Sequence, residues 1–339
     1  MNLKPMRSKF TPFILFLTLV LSGCASNEEA STLEVKQTFN SISGRIGVDG
    51  PILAVKIDDT SMARPQIGID KADLVYIEQV EGGLTRLAAI FSSVIPEKIG
   101  PVRSARISDI DILSQYGKVV FAYSGAQRAM LTVISNSKLW DYGAQRQSPT
   151  IYTRDEARPG PYDMVLRSDL LMEKVKNDQR EVAVSKSAGW SFGEAPSGGV
   201  AIDSVLVQWP ASKYEVTWSK TEMRWLLSNG GVPNLADSGE QLGATTFVIQ
   251  SVEMSDSIYR SKDGGYTPLS ETVGTGSGYI LRDGRSFKAN WSRPTAEAGT
   301  TWTLSDGSEI KFAAGSIWVA LTDRKPLFTL TAPTSPDSK

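Results

Sequence analysis

The chain is 339 residues long, 41% hydrophobic and 22% charged, a composition that can bury a core and excludes both a disordered polymer and a multi-span membrane bundle. Lys and Arg number 36 against 37 Asp and Glu, a net charge of −1, so the basic excess of a dedicated nucleic-acid binder is missing and no nucleic-acid partner is expected. The chain has no histidine, which excludes Ser-His-Asp and Cys-His nucleophiles, His-ligated zinc and imidazole acid–base chemistry. Any catalysis would fall to carboxylates, Lys, Arg, Tyr or a hard metal.

Lys4, Arg7 and Lys9 form a positive start, and Phe13–Leu21 (FILFLTLVL) is an apolar run far shorter than the roughly 20 residues of a membrane-spanning helix. This is the pattern of an export signal. It closes on Leu21-Ser22-Gly23-Cys24, which resembles the lipobox of bacterial lipoproteins, where the chain is cut before the cysteine and the cysteine is acylated. Residues 1–23 are therefore expected to be a signal peptide and Cys24, the sole cysteine, the lipidation site. The membrane is then a partner through the lipid anchor, with the body on the extracytoplasmic face. Residues 24–45, rich in Ser, Thr and Asn, are expected to be the lipidated cysteine and a flexible tether.

From Pro51 the pattern changes. Ile52–Ile57 is an apolar run ending at Asp58-Asp59, and Leu74–Ile77, Leu87–Phe91 and Val119–Tyr123 are further buried-strand candidates. Ile107, Ile110 and Leu113 recur at helical spacing before Gly117, and Ala126–Ile134 and Asp169–Val175 also predict helices. Interleaved strands and helices imply an α/β layered domain over 46–184. Ser185–Gly199, with its Ser, Gly and Pro, is the expected linker. Beyond it, short alternating runs (Ser204–Trp209, Tyr214–Trp218, Thr246–Gln250, Gly278–Leu281, Ile317–Ala320) separate Asn-Gly and Asp-Gly turns at 229–230, 263–264, 283–284 and 306–307. That predicts a mostly antiparallel β domain over 200–330, α+β overall, with a disordered tail over 331–339. The tryptophans of this part are expected in the core, and Gly274–Gly278 (GTGSG) at a bulge or turn.

The densest run of charge and glycine spans residues 51–106. Arg103 and Arg106 are three apart and share a face if the chain is helical from Ser104, while Arg64 and Arg86 lie next to strand ends or a glycine-rich turn. Four converging arginines would make a phosphate or carboxylate site. Alternatively Asp58, Asp59, Glu78, Glu81 and Asp109 neutralise them in a structural ion network. The first four of these carboxylates could also hold Mg²⁺ or Ca²⁺ through oxygen ligands, although no dedicated metal loop is present and no cofactor is expected. Glu81-Gly82-Gly83 lacks the spacing of a phosphate-cradling loop and predicts a turn with positive φ.

The motifs Ala63-Arg64-Pro65-Gln66, Ala72-Asp73-Leu74-Val75-Tyr76, Glu81-Gly82-Gly83 with Thr85-Arg86, and Gly100–Arg106, with weaker matches around Gln250, Gly274–Gly278, Trp291 and Trp318, resemble the YerB-like family of bacterial lipoproteins. The resemblance implies a two-part envelope lipoprotein without an established biochemical role. Where that family tends to carry histidines, this chain has Tyr162 and Asn234. The first expectation for function is a lipid-anchored binding or scaffolding module for an envelope protein, wall polymer or phosphorylated lipid. The second is a histidine-independent envelope enzyme acting on phosphorylated glycans or lipids.

Overall fold

The computed structural model describes residues 37–260 and 264–332. The signal peptide, Cys24 and the first part of the tether therefore lie outside the described residues, as do 333–339 of the expected tail. From Gln37 onward the chain is one compact unit.

The first half contributes strands β1 (Leu53–Asp58), β2 (Leu74–Gln79), β3 (Thr85–Phe91), β4 (Val120–Ala122) and β5 (Trp140–Asp141), with helices α1 (Ser108–Ser114), α2 (Arg128–Asn136) and α3 (Ser168–Asn177). The second half contributes β6 (Val200–Gln208), β7 (Lys213–Ser219), β8 (Arg224–Asn229), β9 (Thr246–Ser251), β10 (Gly274–Arg282), β11 (Arg285–Arg293) and β12 (Ile317–Thr322). These strands join one sheet in the order β8-β7-β6-β11-β10-β9-β12-β2-β3-β1-β4-β5. The expected α/β first part and antiparallel second part are both present. Their junction is β12, which runs parallel to β9 on one side and to β2 on the other.

Side chains alternate across the sheet, and both faces of its middle are covered. β1 is buried along its whole length, as expected of a strand packed on two sides. On one face Val55, Val75 and Leu87 pack with Val207, Tyr214 and Trp318. On the other, Ala54, Tyr76 and Ile90 pack with Ile112 of α1 and with Trp291 and Trp302. Trp190, Trp209 and Trp225 are buried as well, so six of the seven tryptophans expected in the core are found there, while Trp218 is half-buried and packs against it.

Three expectations need correction. Residues 37–45 are not tether: Phe39 bridges Ile46, and Asn40 and Ile42 are buried. The segment 185–199 is not a free joint, because buried Trp190 stacks on Phe312 with ring centroids 5.1 Å apart and donates its indole N–H to the Ile42 carbonyl. Gly274–Gly278 forms no bulge or turn but pairs residue by residue with Arg293–Ala289 inside β10. Its glycines make room for other groups. A Cβ on Gly276 would lie 2.5 Å from the Trp291 ring, and one on Gly278 would lie 2.2 Å from the Ile249 carbonyl oxygen. Urea unfolding should show Gly278→Ala destabilised by about 1–3 kcal/mol through overpacking. Gly125→Ala, where a Cβ meets nothing within 4 Å, should stay within about 0.5 kcal/mol of the parent.

Candidate functional site

At the ends of β1, β2 and β3 the apolar face carrying Ala54, Tyr76 and Ala88 gives way to charge. Strand register places Arg86 directly between Asp58 and Glu78, each on a neighbouring strand. One step further in, Lys56 is fully buried on the same face. Its Nζ donates to Asp109 Oδ1 of α1 at 2.7 Å and to Glu78 Oε1. Burial pulls the Lys56 ammonium down to about 8, against the opposing effect of Asp109.

Arg103 and Arg106 reach this place from an extended segment, since α1 starts only at Ser108; the expected shared helical face does not form. Arg103 Nε donates to Asp58 Oδ2 at 2.5 Å, and its guanidinium lies 5.4 Å from the ring centroid of Tyr162. Asp58 Oδ1 is held in turn by the Thr60 amide and hydroxyl at 2.8 and 2.6 Å. Arg106 donates through Nε and Nη2 to Glu81 Oε2 at 2.8 and 2.6 Å, and its amide donates to Asp109 Oδ2 at 2.7 Å. Although burial works to raise the Glu81 carboxyl, Arg106 and the Thr267 hydroxyl hold it below the ordinary value.

Arg86 is different. Among the described residues, its guanidinium makes one hydrogen bond, from Nη1 to the Ser104 carbonyl at 2.9 Å, and has no carboxylate within ion-pair distance. Burial, then repulsion from Arg106 and Arg103, pushes its guanidinium down to about 9. The three arginines line a groove of about 860 Å³ with Arg128 and Arg260, against only Asp58 and Glu81. The same groove receives the N-terminal turn of α2, which has no side-chain cap and no acidic residue. Such a turn presents unpaired amides and the positive end of the helix dipole.

The fourth arginine is elsewhere. Asp59, just past the end of β1, points to the opposite face, where Arg64 Nη2 donates to its Oδ1 at 3.1 Å and Thr85 Oγ1 to its Oδ2 at 2.5 Å. Tyr214 from the second half also donates to Asp59, whose carboxyl is raised by burial. Arg64 and Asp59 thus belong to a clamp between the halves. The predicted turn at Glu81-Gly82-Gly83 is present, with φ of 70° and 72° at its glycines. The four acidic candidates do not converge, and no group of three or more Asp or Glu within reach of one cation exists among the described residues. Of the two departure positions, Tyr162 stands against Arg103 whereas Asn234 is buried in the second half. Lys56, Arg128, Arg260 and Thr267 were not anticipated. Lys56 alone had a local signal, as the one charge inside the Ile52–Ile57 run.

Two family models match this architecture in sequence: protein of unknown function (DUF3048) N-terminal domain over residues 41–182, and the DUF3048 C-terminal domain over 205–319. The chain belongs to the DUF3048 family. The Bacillus subtilis (strain 168) protein named "Putative lipoprotein YerB" is 24% identical over 321 residues, covering 90% of this chain and 92% of that protein. The crystal structure of YerB from Bacillus subtilis superposes with a TM-score of 0.72 at 19% identity, covering 85% of this chain and 97% of the other, and so shares the fold.

Lys56→Met would leave Glu78 and Asp109 buried without their cation. Denaturant unfolding should show a loss of about 3–5 kcal/mol, the cost of breaking a buried pair from one side.

Proposed function

We propose that this DUF3048 protein is a lipid-anchored extracytoplasmic binding module whose groove takes a phosphate- or carboxylate-bearing envelope ligand at Arg86. The observation that carries this proposal is the half-buried Arg86 guanidinium, without a carboxylate partner among the described residues and flanked by Arg103 and Arg106. An anion there would gain charge-assisted hydrogen bonds in a partly desolvated place and relieve repulsion among three cations. The uncapped start of α2 adds donors of the same kind. The anchor is supported by the Leu21–Cys24 sequence and by the name of the Bacillus relative.

Binding is favoured over turnover because both carboxylates lining the groove are already committed, Asp58 to Arg103 and Glu81 to Arg106. Neither is free to act as a base while those pairs persist.

The test is thermal unfolding of the mature chain carrying Cys24→Ser, with phosphate and pyrophosphate added. At 100 times its Kd a ligand stabilises by about 2.7 kcal/mol. The shift should vanish in Arg86→Ala and survive in Arg64→Ala, which alters the opposite face. No shift in the parent, or equal loss in both variants, would contradict the proposal.

A further inference from the structure

A second feature lies away from the groove, where the described chain begins. Phe39, Ile46, Val48, Val94 and Val184 are large apolar side chains between 51% and 67% exposed. They sit on three segments that a buried polar knot ties together. Asn40 Nδ2 donates to the Val48 carbonyl at 3.4 Å, to Ser92 Oγ at 3.5 Å and to Ser185 Oγ at 3.1 Å. Asp73 accepts from the Ser43 hydroxyl at 2.7 Å and from the Ser92 and Ser93 amides at 2.8 Å each. Phe39 and Ile46 face each other across a bridge, and Gly47 packs close to Ser93, the neighbour of Val94. Polar groups are therefore satisfied inside this knot while its rim leaves apolar groups in water, at some cost in solvation.

We infer that this rim is the face by which the body rests on the lipid bilayer. The inference rests on Cys24 being the acylated residue, as proposed above. Thirteen residue steps separate Cys24 from Gln37, which even fully extended span at most about 45 Å. A compact body of this size is roughly 50 Å across, so the end of the molecule that carries Gln37 is the one kept near the membrane. Phe39, two residues past that point, and its apolar neighbours would enter the headgroup boundary, where shallow burial of apolar side chains favours interfacial binding. Acylation supplies the attachment and the rim sets which way the body faces.

The full chain, exported and acylated in cells, is reconstituted in phosphatidylglycerol–phosphatidylethanolamine vesicles. Because Cys24 is the only cysteine, Val48→Cys and Val232→Cys each carry one environment-sensitive fluorophore at positions of matched exposure, 64% and 66%. Headgroup nitroxide lipids should quench the Val48 probe at least about twofold more than the Val232 probe, and Ile46→Ser with Phe39→Ser should reduce that ratio towards one. All variants should melt within a few degrees of the parent, because the substituted side chains are exposed. Equal quenching at the two positions in protein that floats with vesicles overturns the bilayer-facing rim while leaving the anchor standing. A blue-shifted but unquenched Val48 probe places a second copy of the chain on this face instead. Protein that fails to float overturns the anchor and the rim together.

Discussion

Lys56 places a full positive charge inside the sheet, and the distribution of charge around it follows from how that ion is satisfied. Four cations (Lys56, Arg86, Arg103, Arg106) and four carboxylates (Asp58, Glu78, Glu81, Asp109) share this end of the strands. Lys56 alone takes two of the carboxylates, Glu78 and Asp109. Asp58 goes to Arg103 and Glu81 to Arg106. Arg86, although Glu78 and Asp58 flank it in strand register, is left without a carboxylate partner. A buried ammonium with a single partner would be costly. The second carboxylate that steadies Lys56 is thus the one a neighbouring arginine lacks.

The rest of the fold holds this arrangement in place. β12 pairs with strands of both halves, and the Asp59–Arg64–Tyr214 clamp links the halves on the opposite face. The hairpin formed by Met254–Arg260 and Tyr266–Ser270 brings Arg260 to the groove, tied down by Thr267 to Glu81 and by the Ser270 amide to Ser108. A shared sheet keeps these contributions in fixed register.

Much of this was legible in the sequence, and the misses have particular causes. The strand runs were recognisable because buried two-sided strands read as continuous apolar segments, with Asp58 and Arg86 standing out as charges at their ends and Arg103 and Arg106 as a pair three apart. Asp59 and Arg64 resemble the same group in sequence, but faces alternate at the end of β1 and carry Asp59 to the opposite side. The glycines at 276 and 278 looked like turn residues, whereas they leave space for Trp291 and for the close approach of β9, contacts set by tertiary packing alone. Arg260 and Thr267 lie more than 150 residues after Arg103 and Arg106, and no local pattern announces their arrival. Residues 37–45 have tether-like composition yet are held by the side chains of Asn40, Ser43 and Asp73, a few specific bonds that composition does not convey.

The central claim is that Arg86 is the unmatched cation of this cluster. Arginine-selective ¹⁵N NMR during a pyrophosphate titration observes it directly. The account predicts that the Arg86 Nε–Hε resonance moves saturably, Arg103 and Arg106 follow, and Arg64 on the opposite face stays still. An Arg86 resonance that does not respond, or one that moves only as much as Arg64, would contradict it.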